Sequence, residues 1–428
     1  MLGFAAIILL GTLLLMLPFA SQSGVVTPFS DALFTATSAV CVTGLVVQDT
    51  ATYWSPFGQA VILLLIQIGG MGIVTLSVAI WAASGRTISL KQRSTMQEAL
   101  SGHQVGNIIQ LGSFILKLTF LIEFLGAVLL APVFCREFGI GKGIWYGIFH
   151  SISAFCNAGF DLMGVRSPYS SLTSFSRNWL VNVTIMVLII VGGIGFLTWE
   201  DIRKHGLHLR RYRMQSKVIL TVSLLLVLLP ALYFFFFEFT EGSFSLRIQS
   251  ALFQSVTTRT AGFNTADLTR ISESGLALMM FLMIVGGSPG STAGGLKTTT
   301  LAVLLSTAVS VFRRRKDINF FRRRIEGETI RNASTLLVMY LTLFLAGGCI
   351  ISSLEGLPLL PCLYETASAV ATVGLSLGLT PTLGEISRLI LILLMYIGRV
   401  GGLTLLMAPP SQLRANAGRM PQEKMNVG

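Results

Sequence analysis

A short stretch that ends in glycine returns four times along the chain at nearly even intervals. The first copy is FTATSAVCVTGL at 34–45, and the second, FHSISAFCNAGF at 149–160, keeps the aromatic residue, a serine, an alanine, a cysteine and the glycine in register. The fourth copy is YETASAVATVGL at 364–375, whereas the third, FQSVTTRTAGF at 253–263, is one residue shorter. Because the glycines at 44, 159, 262 and 374 lie 103 to 115 residues apart, the chain reads as four copies of one unit.

The composition limits what such a unit can be. Hydrophobic residues make up 53% of the chain and charged residues 12%, and the mean hydropathy is +0.74. These values predict an integral membrane protein surrounded by a lipid bilayer and exclude a soluble fold. The net charge of +12 comes from basic residues in the gaps between apolar spans, which argues against a nucleic-acid partner. The five cysteines form no CxxC pair, so small apolar fillers are favoured over a zinc site or a disulfide framework.

Eight apolar stretches can be counted as spans, since a helix needs about 20 residues to cross a bilayer core. The first resembles a signal-peptide core, but it has no basic n-region and only a weak cleavage site, so we interpret it as a span. The stretch before each glycine, for example Ser30–Cys41, is too short to cross and fits a re-entrant half-helix. The predicted spans are Leu2–Phe19, Phe57–Ala83, Ile108–Phe134, Trp179–Trp199, Val218–Phe237, an interrupted Leu276–Val311, Ser334–Ser353 and Leu389–Met407.

The predicted fold class is an all-α integral membrane protein with four parallel pseudo-repeats around a central ion pore. Each repeat is a span, a re-entrant pore half-helix and a second span, so every copy starts on the same side of the membrane. Basic residues cluster at 86–93, at 203–217 and at 313–324, and the positive-inside rule therefore places these connectors and both termini in the cytoplasm. The units are 1–85, 106–204, 216–312 and 329–410, and 411–428 is a cytoplasmic tail.

The four motifs carry no charged side chain at the residues next to their glycines. A cation that leaves water needs its hydration shell replaced, and rings of backbone carbonyls held by glycine-containing loops are a common device for this. A single glycine of this kind would more simply close a turn or let helices approach, but four in register favour a pore. The predicted selectivity filter consists of Val42, Thr43, Gly44, Asn157, Ala158, Gly159, Thr260, Ala261, Gly262, Thr372, Val373 and Gly374.

These motifs resemble the four filter loops of the Trk/Ktr/HKT superfamily of potassium transporters over essentially the whole chain. The third motif, which is one residue shorter than the other three, is distinctive for that family. With eight spans, the chain is more similar to the Ktr membrane subunit than to the longer TrkH. The resemblance implies K⁺ as the permeant ion at the filter carbonyls, the four glycines as selectivity determinants, and a homodimer in a bacterial plasma membrane. It also implies a KtrA-like cytoplasmic ring through which nucleotide acts, with Na⁺ as a candidate coupled or stimulating ion.

A polar, glycine-rich segment, VGGSPGSTAGGLKTT at 285–299, interrupts the second span of the third unit. Pro289 lacks a donor and five glycines weaken what is left, so the segment cannot continue as a helix and is predicted to be a loop inside the membrane. The family resemblance implies a gate, and the alternative is a packing break between helices. The candidate gate residues are Gly286, Gly287, Ser288, Pro289, Gly290, Ser291, Thr292, Gly294 and Gly295.

Arg399 is the only charge in the otherwise apolar last span. A charge at this depth is costly and faces a cavity or a partner. In the pore it would raise a barrier against cations and pair with polar groups of the 286–295 loop, as the family also implies. The alternative is an arginine that caps buried carbonyls elsewhere.

Other residues and two rival functions complete the interpretation. Asp161 and Asn264 are candidates for the outer mouth, and Arg259 is expected to have a local partner behind the filter. Glycine clusters at 69–72 and 192–195 are aligned with Gly286–Gly287 and Gly401–Gly402 and predict close helix packing. An alternating-access secondary carrier for a small cation is the first rival, disfavoured because the sequence interrupts a span only in the third unit. An enzyme is excluded because the spans offer almost no convergent catalytic groups.

Overall fold

The computed structural model describes residues 2–72, 108–315 and 317–401. The predicted tail at 411–428, the connector at 86–93 and the ends of the spans Phe57–Ala83 and Leu389–Met407 lie outside these residues. The described chain is mostly helical, and its strands form one two-stranded hairpin.

The first unit consists of α1 (Leu2–Leu15), α2 (Phe29–Val40) and α3 (Pro56–Met71). The start of α3 is fixed by its sequence, because Pro56 stands in the first turn and the Ser55 hydroxyl accepts a hydrogen bond from the Gly58 amide at 3.2 Å. The short helix α2 has the predicted place and length of a half-helix.

The second unit consists of α4 (Ile108–Phe138), α5 (Ile140–Phe155), α6 (Trp179–Gly193) and α7 (Phe196–His205). Here the prediction of one continuous span from Trp179 to Trp199 is wrong, because α6 and α7 meet at an angle of 95°. The bend follows from Gly195, whose φ of +97° lies in the left-handed region.

The third unit consists of α8 (Met214–Tyr233), α9 (Phe244–Thr257), α10 (Glu273–Ile284) and α11 (Thr298–Phe312). The predicted interruption lies between α10 and α11. A hairpin of β1 (Asn319–Phe320) and β2 (Arg323–Arg324) leads to the fourth unit. That unit consists of α12 (Gly327–Glu355), α13 (Leu359–Val370) and α14 (Glu385–Val400).

The helices of the described chain are those of a membrane protein. Three are long and apolar enough to cross a bilayer, and the bent pair α6 and α7 adds a fourth if it is one span. Shorter apolar helices accompany them, and large side chains such as Phe124 and Leu229 are exposed on the outside of the bundle. Lipid rather than water is the suitable surrounding for these faces. The long helices cover Gln110–Phe138, Met214–Glu238 and Gly327–Glu355.

The four half-helices α2, α5, α9 and α13 lie at the centre of the molecule. The aromatic residue that opens each motif is fully buried, and the helices of the same unit pack around it. The last helix, α14, also packs against α2, so the fourth unit lies beside the first. The four aromatic residues are Phe34, Phe149, Phe253 and Tyr364.

Candidate ion-binding site

The four predicted filter glycines lie against one another's motifs in cyclic order. A Cβ atom added to any of them would overlap the space of a carbonyl oxygen in the next motif. The contacts run from the first motif to the second, third and fourth and then back to the first, so the four motifs close a ring. The pairs are Gly44 with Ala158, Gly159 with Ala261, Gly262 with Val373, and Gly374 with Thr43.

The backbone of each motif has the same handedness pattern. The glycine has a φ between +69° and +98°, and the residue two positions before it has a φ between +52° and +66° although it is not glycine. A left-handed residue with a side chain costs about 1–2 kcal/mol, so its recurrence in four places indicates a conformation that the ring requires. Alternating handedness turns successive carbonyls toward one side. The four non-glycine residues are Val42, Asn157, Thr260 and Thr372.

A hydroxyl group supports each loop. The amides of Gly44 and Gly374 donate to serine hydroxyls six residues earlier, at 3.1 and 3.0 Å. In the second motif Ser153 donates to the carbonyl after the glycine at 2.7 Å, and in the third Thr257 does so at 2.6 Å. Because Thr257 stands five residues before its glycine rather than six, the shorter third motif still places its hydroxyl in the same position.

The electrostatics of the ring come from backbone groups. Each half-helix ends four or five residues before its glycine, so its C-terminal end, which carries partial negative charge, lies next to the ring. Cys41 and Cys156, which share a register, cap two of these ends. Among the described residues no group of His, Cys, Asp and Glu could hold a metal ion by side chains. Three hydroxyls of the predicted filter, on Thr43, Thr260 and Thr372, are buried and have no hydrogen-bond partner within the described part of the chain.

On one side of the ring lies a cavity of about 320 Å³ lined by all four glycines. The structure places the two predicted mouth residues, Asp161 and Asn264, in its wall together with Asp49. The Asp49 carboxylate is oriented by the amide of Tyr169 at 2.9 Å, and that of Asp161 by the amide of Met163 at 2.9 Å. Burial raises the pKa of Asp161 to about 7, and an ionised carboxylate at such a mouth attracts cations.

On the other side of the ring lies the predicted gate segment, the 286–295 loop. A Cβ atom added to Gly294 would overlap the hydroxyl of Thr372, and one added to Gly286 would lie 2.9 Å from the Cγ2 of Thr260. The loop therefore contacts the first filter residue of the third and fourth motifs. Its base is closed by a bridge between Val285 and Leu296.

The second unit holds this loop in place. The Ser288 amide donates to Gly193 at 3.0 Å, and the Thr292 hydroxyl donates to the last carbonyl of α5, that of Phe155, at 3.0 Å. In return, the Phe196 amide donates to Gly290 at 2.8 Å. Of the candidate gate residues, Gly286–Ser288 and Thr292–Gly295 are buried, and Pro289–Ser291 are half-buried.

Arg399 connects the loop to the first unit. Its guanidinium donates to the carbonyl of Thr292 at 2.5 Å, to that of Gly69, and to that of Gly70 at 3.3 Å. Arg399 therefore pairs with the 286–295 loop and also caps buried carbonyls, because the carbonyls that it binds belong to the loop and to the adjacent end of α3. Both lie directly below the ring.

The structure refines the alignment of the glycine clusters. Three glycines lie against the last carbonyl of the half-helix in their own unit, where no Cβ atom would fit. In the fourth unit Gly398 therefore corresponds to Gly69 and Gly192, while Gly401 corresponds to Gly72 and Gly195, which share its positive φ. Gly402 lies outside the described residues. Arg399 accordingly stands where the first two units have a second glycine. The three contacts are Gly69 with Val40, Gly192 with Phe155, and Gly398 with Val370.

Sequence reasoning missed several buried carboxylates, among them that of Glu123. Glu123 on α4 accepts hydrogen bonds from the Gln67 amide at 3.0 and 3.1 Å, and its Oε1 lies 3.9 Å from the Cys156 thiol. The signal was present, since Glu123 is the only acidic residue of its predicted span. The partner expected for Arg259 is Ser223, whose hydroxyl lies 3.3 Å from Nη2, while Nε has no partner among the described residues.

Comparison with known proteins identifies the family. Residues 4–413 match the TrkH family, whose description is cation transport protein. The chain belongs to this family. It is 41% identical to the potassium/sodium uptake protein NtpJ of Enterococcus hirae, over all of this chain and 96% of that protein. It is also 38% identical to the Ktr system potassium uptake protein B of Bacillus subtilis, over 94% of this chain and 90% of that one. The family resemblance inferred from the motifs is thereby confirmed.

A solved structure supports the fold. The potassium transporter TrkH from Vibrio parahaemolyticus superposes with a TM-score of 0.74 at 20% identity, covering 96% of this chain and 86% of that one. At this identity the likeness concerns the fold alone. Like its relatives, this family member is a cation transport protein and not an enzyme, as the motifs predicted.

Proposed function

We propose that this protein is the K⁺-translocating subunit of a bacterial potassium uptake system. The observation that carries the proposal is the closed ring of four motifs, in which a left-handed residue and a left-handed glycine recur at the same positions. The names of the relatives, which describe potassium uptake, support K⁺ as the ion. The four units 1–85, 106–204, 216–312 and 329–410 would surround one pore along the membrane normal.

In this mechanism, K⁺ enters from the cavity and loses its water to main-chain carbonyls of the ring. The three unpartnered threonine hydroxyls supply further oxygen ligands along the path. The ends of the four half-helices stabilise the ion without a fixed negative charge, so the ion can leave again. Na⁺ is a second candidate ion, because the relative from Enterococcus hirae is named for both.

The 286–295 loop and Arg399 form the gate in this proposal. The loop lies under the filter, and the guanidinium, held between Thr292 and the end of α3, places a positive charge on the ion path. Opening requires the loop to leave the carbonyls of α5 and α6. A KtrA-like cytoplasmic ring that binds nucleotide would drive that movement on a homodimer in the plasma membrane, with both termini in the cytoplasm.

An alternating-access secondary carrier for a small cation is the second candidate. One observation favours it, since broken helices occur in the second unit as well as the third, at Gly195 and in the 286–295 loop. Flux through protein in planar bilayers separates the two candidates. Unitary current steps indicate a gated pore, whereas uptake without such steps indicates a carrier.

The filter assignment is tested by Gly44→Ser. A side chain at Gly44 has no room beside Ala158 and forces a left-handed residue, so K⁺ over Na⁺ selection should fall at least tenfold. Uptake of both ions is measured in cells that lack their own potassium uptake. Gly24→Ser is the matched control, because Gly24 also has a positive φ of 70° but open space around it. If the two variants select K⁺ equally well, the filter assignment is wrong.

A further inference from the structure

The hairpin between the third and fourth units carries a dense set of exposed cations. We call the described residues 313–315 and 317–324 the arginine hairpin. Six arginines in it are exposed, and among the described residues only Arg324 has an acidic partner, Asp317, at 3.0 Å. Unpaired charges in such number need an external counter-charge. The six are Arg313, Arg314, Arg315, Arg322, Arg323 and Arg324.

The hairpin is held together by strand pairing. Asn319 pairs with Arg324 and Phe320 with Arg323, which leaves a two-residue turn of Phe321 and Arg322. Both turn residues have positive φ, +44° and +66°, where a hairpin turn of this kind prefers asparagine and glycine. The backbone of the turn is therefore strained, and its two residues place an aromatic ring and a guanidinium at the tip of the hairpin. Phe321 is 52% exposed there.

The position of the hairpin follows from α11. Leu305, Val309 and Phe312 are exposed apolar residues one helical turn apart, which marks the lipid-facing stripe of this helix. The stripe ends at Phe312, and the arginines begin at the next residue. Because α11 starts beneath the filter and leads away from the cavity, this end lies on the membrane face opposite the cavity.

A contact with a second helix, α8, indicates that the tip of the hairpin lies at the same membrane depth as the end of α11. The Nζ of Lys217 lies 5.9 Å from the centre of the Phe321 ring. Lys217 stands in the first turn of α8, which packs against α11, and the exposed leucines Leu224 and Leu228 follow on its face. The hairpin therefore lies at the lipid-facing perimeter, where two spans leave the hydrocarbon.

Arginine forks match phosphate oxygens, and basic residues near a membrane surface attract anionic lipid. Aromatic side chains such as Phe312 and Phe321 fit the boundary between acyl chains and headgroups. We propose that the arginine hairpin binds the phosphodiester headgroups of anionic phospholipids in the cytoplasmic leaflet. A perimeter site of this kind is independent of K⁺ selection by the filter.

The test is native mass spectrometry of the full-length protein, purified in detergent and titrated with dioleoyl phosphatidylglycerol or with dioleoyl phosphatidylcholine. The protein should retain phosphatidylglycerol in preference to phosphatidylcholine. The double variant Arg322→Gln/Arg323→Gln should lose that preference by about tenfold or more, since each basic residue near the surface contributes to anionic lipid binding. Size-exclusion chromatography establishes that the variant is folded.

The control is Arg177→Gln/Arg270→Gln, which removes the same charge from exposed residues next to the cavity-side loops. This variant should keep the preference. Equal retention of phosphatidylglycerol by the hairpin variant and the protein itself would overturn the proposal. The proposal would also be overturned if the hairpin variant lost dimerisation or a co-purifying protein subunit while its lipid retention stayed unchanged. The hairpin would then be a protein interface.

Discussion

Arg399 puts a guanidinium where two other units of this protein have a glycine. In the first and second units the corresponding residues, Gly70 and Gly193, contribute no side chain to the space beneath the filter. The fourth unit fills it with a group that joins α3 to the 286–295 loop through carbonyls. One residue therefore carries both a positive charge on the proposed ion path and a link between two units.

Two substitutions at Arg399 distinguish the effect of its charge from the effect of its hydrogen bonds to α3 and the 286–295 loop. Arg399→Gln removes the charge, so K⁺ uptake should rise several-fold if the charge is a barrier. Arg399→Lys keeps the charge but has no planar fork to reach Thr292 and Gly69 together. If the charge is the barrier, the uptake rate of Arg399→Lys should therefore equal that of the parent protein. If the hydrogen bonds between the two units are the barrier, its rate should equal that of Arg399→Gln. Initial rates of rubidium uptake in proteoliposomes measure the effect.

The matched control is Arg247→Gln, since Arg247 likewise caps carbonyls, at 2.7 Å from Phe239 and 3.0 Å from Phe235, but lies in the first turn of α9, at the end of that half-helix away from the filter. Its transport rate should stay close to that of the parent protein. If neither Arg399 variant changes the rate, this residue has no part in gating.

At the scale of elements, the 286–295 loop is bonded to the second unit through backbone groups and, among the described residues, one side-chain hydroxyl. That hydroxyl belongs to Thr292 and donates to Phe155, while the carbonyl of the same residue accepts from Arg399. A hydrogen bond of this kind contributes about 1 kcal/mol, so its loss shifts the loop equilibrium by up to about fivefold. A gate that must move is expected to have such modest anchors.

Thr292→Val should therefore increase K⁺ uptake by about two- to fivefold, because it removes the bond to Phe155 and keeps the shape of the side chain. Ser291→Ala is the control, since the Ser291 hydroxyl bonds only within the loop, to Ser288 at 2.7 Å. Rubidium uptake by cells at matched expression gives the comparison. A Thr292→Val rate equal to that of Ser291→Ala would contradict this account of the loop.

The elements also show what the sequence could and could not predict. The half-helices and the glycines after them were predictable, because helix length, a terminal glycine and a fixed register are local properties. The bend at Gly195 was not, since the stretch around it is apolar and long enough to span. Gly195 permits the bend, and a contact from another unit stabilises it, because Gly290 accepts a hydrogen bond from the Phe196 amide.

The same distinction holds for the candidate site. The cost of a charge in a span predicted that Arg399 faces a partner, but the carbonyls that bind it come from two other units. The spacing of three residues aligns Gly398 and Gly401 with Gly69 and Gly72, but only the packing shows that Gly398 lies against Val370. Contacts between units, such as those of Arg399, are not encoded in any local pattern.

At the scale of the whole molecule, the ring of four units has one seam without a covalent connection. The chain itself links the first unit to the second, third and fourth, but the fourth meets the first through non-covalent contacts, which include the packing of α14 against α2. At this seam Arg388 donates to Asp31 at 2.9 Å, across 357 residues of chain. Gln48 also donates to Asp31 at 2.9 Å, and Arg388 also donates to the carbonyl of Pro381 in the cavity wall.

This ion pair should hold the ring closed. The two side chains are only 20% and 9% exposed, and removal of one partner from such a pair typically costs about 3–5 kcal/mol because the other charge stays buried. We expect Arg388→Gln to lower the melting temperature of the purified protein clearly and to weaken K⁺ selection, since the seam adjoins the cavity. Asp31→Asn/Arg388→Gln should recover part of both losses.

The control is the exposed pair Asp267 and Arg270, whose side chains are 52% and 85% exposed at a distance of 3.2 Å. Such a pair is worth about 0–1 kcal/mol, so Arg270→Gln should change neither the melting temperature nor selection. Thermal unfolding in detergent and K⁺ against Na⁺ uptake are measured for all variants. If Arg388→Gln destabilises no more than Arg270→Gln, packing of α14 on α2 alone closes the ring and the ion pair is dispensable.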